Sequence, residues 1–268
     1  GIKFEHNAAN APVALNGSLK IEETRAVPGI SAKLNTIAKI RGEYVIASKY
    51  DFWFLNADLS PKFHAAMDPW FSANVLDLVG ITALDKDAYV LMGSNKSLLR
   101  VRQNPEADDV QGWPNFTAGR SHIEAVGGLG RARIDTERAK FSYIHSSATD
   151  GRYVFMATVP DNKNKKQFVI SKALMKDWML SGEFVPTAEM LKKDRSLGEL
   201  YVTGMVYEDG KLYAVSKNWN VLVVIDVAQE AVVEAWGLPE ELTDIRGLVK
   251  DGSTFEVIDA NRVVKLTM

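Results

Sequence analysis

Apolar and polar residues alternate along most of this chain in short runs, with the two-residue period of half-buried strands and not that of a helix. Five of these runs open on the same kind of turn. "RGEYVIASK" starts at residue 41, "DKDAYVLMGSN" at 85, "TDGRYVFMAT" at 149, "EDGKLYAVSK" at 208 and "KDGSTFEVIDAN" at 250. Aspartate and glycine supply the backbone of a tight hairpin. The aromatic that follows (Tyr44, Tyr89, Tyr153, Tyr213, Phe255) and the apolar residues alternating after it suit a pleated surface. Each phrase has another apolar run before it, such as "LDLVGITAL" or "LYVTGMVY", and a third after it, such as "DFWFLNADL" or "VLVVIDVAQ". A fourth shows in "PKFHAAM", "GEFVPTA" and "AVVEAWG".

Four short strands repeated five times predict an all-β, five-bladed β-propeller with four-stranded blades; six blades, or a two-sheet β-sandwich, are the alternatives. The ends agree with a ring. The fifth unit stops at Met268 after three runs, while "SLKIEETRAV" (18–27) stands unmatched before the first. If 18–27 joins the last blade, the ring closes and no sheet edge stays open. The aligned aromatics are 45, 64, 60 and 42 residues apart, which places insertions at about 104–141 and 173–199. Within the second, "TAEMLKKD" predicts a short helix capped by Thr187. Residues 1–17 are small and polar with neither period, and read as a flexible tether ahead of one domain, 18–268.

The unit "VTGMVYEDGKLYAVSKNWNVLVVID" (202–226), and more faintly "IRGLVKDGSTFEVIDANRVVKLTM", resembles the bacterial YVTN-, NHL- and SdiA-regulated-type propellers. The resemblance implies a fold and little about function, because such repeats look alike through shared blade physics.

Composition then removes several classes. Thirty-two basic residues against 34 acidic ones leave a net charge of −2, which argues against a nucleic-acid surface. No apolar run approaches the length of a membrane span. There is no cysteine, which excludes thiol catalysis, disulfides and cysteine-ligated zinc. The four histidines lack metal-ligand spacing, and no P-loop, GxSxG or EF-hand loop occurs, so neither metal nor cofactor is expected. The polar start suits a periplasmic or extracellular domain once joined to a signal peptide or a membrane anchor.

In a propeller, residues at the start of each innermost strand and in the hairpin between the second and third strands converge on one mouth. Anchoring on Gly80, Gly204 and Gly247 makes Asp77, Tyr201 and Asp244 equivalent. Arg246 and Thr203 precede the glycine, Glu199 sits just outside, and His145 takes roughly the glycine's place in the third unit. The hairpins add Lys49, Tyr50, Asn95, Lys217, Trp219, Asn261 and Arg262, with Trp219 expected to be exposed and free to stack on a ligand. The expected function is a non-enzymatic, exported propeller that binds a protein or small ligand at this mouth. The alternative is a hydrolase or lyase, perhaps acting on carbohydrate, with Asp77, Glu199 and Asp244 as its carboxylates. The glycine-rich first insertion, with Arg120, Arg131 and Arg133, is a second candidate surface for a partner.

Overall fold

The computed structural model describes residues 7–67, 77–83, 88–96, 98–102, 116–118, 123–125, 143–159 and 167–268. Arg120, Arg131 and Arg133 lie outside them, and so does most of the first insertion. The described strands form five sheets. The first holds Thr36–Ile40, Glu43–Ala47, Asp51–Leu55 and Pro61–Met67, and the second Leu78–Ala83, Ala88–Gly93, Leu98–Arg102 and Ile123–Ala125. The third holds Ile144–Thr149, Tyr153–Thr158, Ile170–Leu174 and Met179–Phe184. The fourth is built on Val202–Glu208, Lys211–Ser216, Val221–Asp226 and Ala231–Gly237. The fifth holds Ile245–Asp251, Thr254–Asp259 and Arg262–Thr267. Within each sheet consecutive strands pair antiparallel, and the first strands meet in cyclic order around one axis. This is a β-propeller.

The ring closes where the orphan run requires it. Lys20–Ala26 pairs antiparallel with Arg262–Thr267, from Lys20 opposite Thr267 to Ala26 opposite Arg262. One side chain of that strand reaches well inside. Arg25 meets the Glu256 carboxylate at 2.9 Å, and Glu256 also accepts a 2.6 Å hydrogen bond from the buried Tyr44 hydroxyl of the first sheet. Burial, then the neighbouring Glu256, pushes the Tyr44 phenol up to about 12. A residue from each of three elements is thereby tied at the seam.

The core lies in wedges between adjacent sheets. Val215, Leu222 and Val224 of the fourth sheet pack against Leu248, Phe255 and Val257 of the fifth. Ile46 and Leu55 of the first pack against Val249, Ile258 and Val263 of the fifth. Trp53 sits in the latter wedge, 8% exposed, with His64 stacked on its ring at 4.8 Å. At the axis, neighbouring inner strands come within backbone contact. A Cβ on Gly204 would collide with the Gly247 backbone, and one on Gly247, at φ +70°, would lie 2.7 Å from the Ile37 nitrogen. The recurrent glycines therefore mark the narrowest part of the ring.

Three expectations change. From Asn7 onward the supposed tether is packed: Ala11 and Val13 are fully buried, Gly17–Ser18 pairs parallel with Trp236–Gly237, and the Asn16 side chain accepts from Ala235 N–H. The second insertion begins after Phe184, because 173–184 completes the third sheet. Its "TAEMLKKD" stretch is not helical. Thr187–Ala188 pairs parallel with Ala231–Val232, so Thr187 gives its N–H to the Glu230 carbonyl and caps no helix. The unpaired outer edge of the fourth sheet was available to both segments, and the sheet ladder outweighed the weak local helix propensity.

Candidate functional site

Asp77, Tyr201 and Asp244 each immediately precede an inner strand, as the repeat alignment requires. The next rung carries the decisive distortion. The pairing register shifts between Leu78 and Gly80, Ile144 and Ser146, Val202 and Gly204, and Arg246 and Val249. A bulge of this kind re-aims the extra residue. His145 is such a residue, one place before the glycine position that it was expected to occupy roughly, and level with Thr203 and Arg246. Backbone bonds stitch this rim from sheet to sheet, with Leu78 N–H to Lys49 O at 3.1 Å and Ile144 N–H to Ser94 O at 2.9 Å.

Asp244 is the hub. Lys33 approaches it at 2.9 Å, Arg246 at 3.2 Å and Lys217 at 3.5 Å. Partial burial opposes ionisation of its carboxyl, but Lys33, Arg246 and Lys217 outweigh that and hold it below the usual carboxylate range. Burial and the neighbouring Arg246 push the Lys217 ammonium down. Arg246 also reaches Asn35 at 3.5 Å. Beside them His145 Nε2 lies 3.0 Å from the Tyr201 hydroxyl. Burial, reinforced by the positive charges of Arg246 and Lys217, pushes the imidazole down to about 4, so it is neutral at pH 7. Burial, with help from Asp77, pushes the Tyr201 phenol up to about 12. The phenol therefore stays protonated as well. Asp77, at φ +41°, faces Lys49 at 4.0 Å on the open side.

Glu199 does not join this group. Its carboxylate takes Arg195 at 2.5 and 2.9 Å and caps the Ser196 N–H, and Arg195 above all holds it below the usual range. Arg195 also lies 5.0 Å above the Trp219 ring and donates to Asn10 O. Trp219 is thus half-buried against the core that holds Val13 and Leu200, not exposed as expected. Asn261 and Arg262 serve the frame, the former donating to Ile30 O at 3.2 Å and the latter pairing with Asp259 at 2.9 Å. Sequence reasoning missed Lys33 and Asn35. Both lie in the connection between the closing strand and the first inner strand, where no repeat predicts a site.

Among the described residues no group of three or more His, Asp or Glu is placed to hold a metal ion. What the mouth offers among the described residues is charge: the cations Lys33, Lys49, Lys217 and Arg246 face the carboxylates Asp77 and Asp244.

No family model matches this chain, and no curated protein matches it by sequence. Solved structures do. A glutaminyl cyclase from Myxococcus xanthus superposes with a TM-score of 0.62 at 11% identity over 96% of this chain and 97% of its own. A luciferin-regenerating enzyme gives 0.55 at 9% over 92% and 95%. The PQQ-bound aldose sugar dehydrogenase of Streptomyces coelicolor gives 0.52 at 12% over 95% and 99%. These likenesses share the propeller fold and, at such identities, nothing finer.

Proposed function

We propose that this chain is a five-bladed propeller, each sheet a blade, that binds an anionic ligand at the mouth built around Asp244 without transforming it. The surplus of cations there among the described residues carries the reading. Lys33, Lys217 and Arg246 already share one carboxylate, and burial, reinforced by the positive charges of Arg246 and Lys217, keeps His145 unprotonated. An incoming carboxylate or an acidic protein segment relieves that repulsion. Against paired-carboxylate catalysis, Asp244 and Glu199 are both held below the ordinary range, where a general acid needs the reverse. The cysteine-free sequence suits an extracytoplasmic compartment, where it has no thiol to mispair.

Calorimetric titration with a hexaglutamate peptide tests this. Saturable binding is expected at low salt, falling about tenfold or more when salt is raised through roughly 0.5 M. Arg246→Gln with Lys217→Gln should abolish it. Binding that ignores both changes ends the reading.

A second reading, a hydrolase or lyase, has one observation in its favour: three solved structures that it overlays over more than nine-tenths of its length are enzymes. Its proton-handling pair would be the neutral His145 with the protonated Tyr201, 3.0 Å apart. Turnover of a chromogenic ester or glycoside panel that disappears in His145→Ala would establish it.

A further inference from the structure

The wedge between the fourth and fifth sheets is packed near the axis and opens outward as a cleft. Tyr213, Val224 and Glu234 lie opposite one another across three strands of the fourth sheet, and Leu222 lies opposite Trp236 in the next row. All five line the cleft, whose volume is about 340 Å³. Its floor is apolar, since Leu19, Leu222, Val224 and Phe255 line it and each is 5% exposed or less. The Trp236 indole is held by the chain that crosses it, for a Cβ on Gly17 would lie 2.7 Å from the ring. Such a volume, with an apolar floor and few polar groups, is usual for small-molecule sites. Two charged side chains line the cleft, and they differ. Lys250 is spent: its ammonium meets Glu208 at 2.5 Å and the Gly252 carbonyl at 2.7 Å, and it lies 5.2 Å over the Tyr213 ring. Glu234 is exposed and makes no hydrogen bond or ion pair with any described residue. The charge left over beside the two aromatic rings is therefore negative.

We propose that this cleft binds a small organic cation with an apolar body, whose ammonium pairs with Glu234 beside the Trp236 ring while the body rests on Leu222 and Val224. An aromatic face attracts a cation, and a carboxylate beside it adds to the pull. An anionic ligand is disfavoured, because the cation lining the cleft is already matched by Glu208. The site is separate from the mouth, has the opposite charge preference and does not depend on the anion reading.

Phenethylammonium, followed by saturation-transfer NMR and calorimetry on the whole chain, is the probe. Its neutral and anionic counterparts are 2-phenylethanol and 3-phenylpropionate. One saturable phenethylammonium site is expected, with the alcohol weaker by about three- to tenfold and the carboxylate weaker still. Glu234→Gln should weaken the ammonium by about two- to fivefold and leave the alcohol unchanged. Ser253→Trp, at an exposed hairpin position that lines the cleft, should block both ligands. Neither variant should lower the melting temperature, since both side chains are exposed. Arg246→Gln should leave phenethylammonium binding alone. Absence of saturation overturns the proposal, as does an alcohol that binds as tightly as the ammonium. Binding indifferent to Glu234→Gln or to Ser253→Trp overturns it too.

Discussion

Two ionic clusters sit on this ring, and they are built on opposite principles. At the seam, Glu256, its side chain 7% exposed, takes both Arg25 and the Tyr44 hydroxyl, while Arg25 also donates to that hydroxyl and lies 3.9 Å from the exposed Glu23. At the mouth, three cations crowd Asp244, whose side chain is 21% exposed, and a fourth pairs loosely with Asp77. The buried groups of the seam bond to one another, so it reads as a fastening. Among the described residues the mouth carries more cations than carboxylates and is more open to solvent, so it reads as a place for something else to arrive. The difference shows that counting ion pairs says little; charge balance and burial separate an internal tie from a receptive surface.

The sharpest way to break the contrast is at the seam. Glu256→Ala strands Arg25 and Tyr44, and chemical denaturation should report a loss of about 3 to 5 kcal/mol. An apolar exchange of the pair, Arg25→Met with Glu256→Leu, should cost much less than that. If the single change costs under about 1 kcal/mol, the seam is no tie.

The mouth should respond to pH. The folded chain holds His145 neutral to about 4, against an ordinary value of 6.5, so the unfolded chain binds the extra proton between those values. Stability is therefore full above pH 6.5 and drains as pH falls towards 4, by on the order of 3 kcal/mol. His145→Gln should flatten that slope, and an unchanged slope would locate the effect elsewhere.

Asp244→Asn is the smaller test. At pH 7 it should shift stability by about 1 kcal/mol, since a partly exposed pair is worth little, yet it should tighten hexaglutamate binding several-fold by freeing Lys33, Lys217 and Arg246. Smallest of all, Lys39→Gln removes an exposed partner of Asp251 and should move the melting transition by about 0.5 kcal/mol or less.

Most of the ring was legible because its signal is local. A turn, an aromatic and an alternating run specify a hairpin wherever they occur, and the orphan run at 18–27 told where the circle shuts. The site was legible only to the rung. His145 moved by one place because a bulge inserts a residue without any signature in the side chains around it. Lys33 meets Asp244 across 211 residues of chain, and no neighbour of Lys33 announces that meeting. Ala11, Val13 and Leu15 did alternate, but the small residues and Pro12 around them hid a segment that the fourth sheet later covers.

The closing strand has a cost in time. Its partner, Arg262–Thr267, is made only after all the blades between them, so Lys20–Ala26 must wait through their synthesis with nothing beside it. Its composition fits that wait. Lys20, Glu22, Glu23 and Arg25 give it charges of both signs, and in the finished ring nearly all its residues still face water. A strand so written has little to offer a stranger's sheet, and a copy rewritten in valine would be the one to clump before its ring was done.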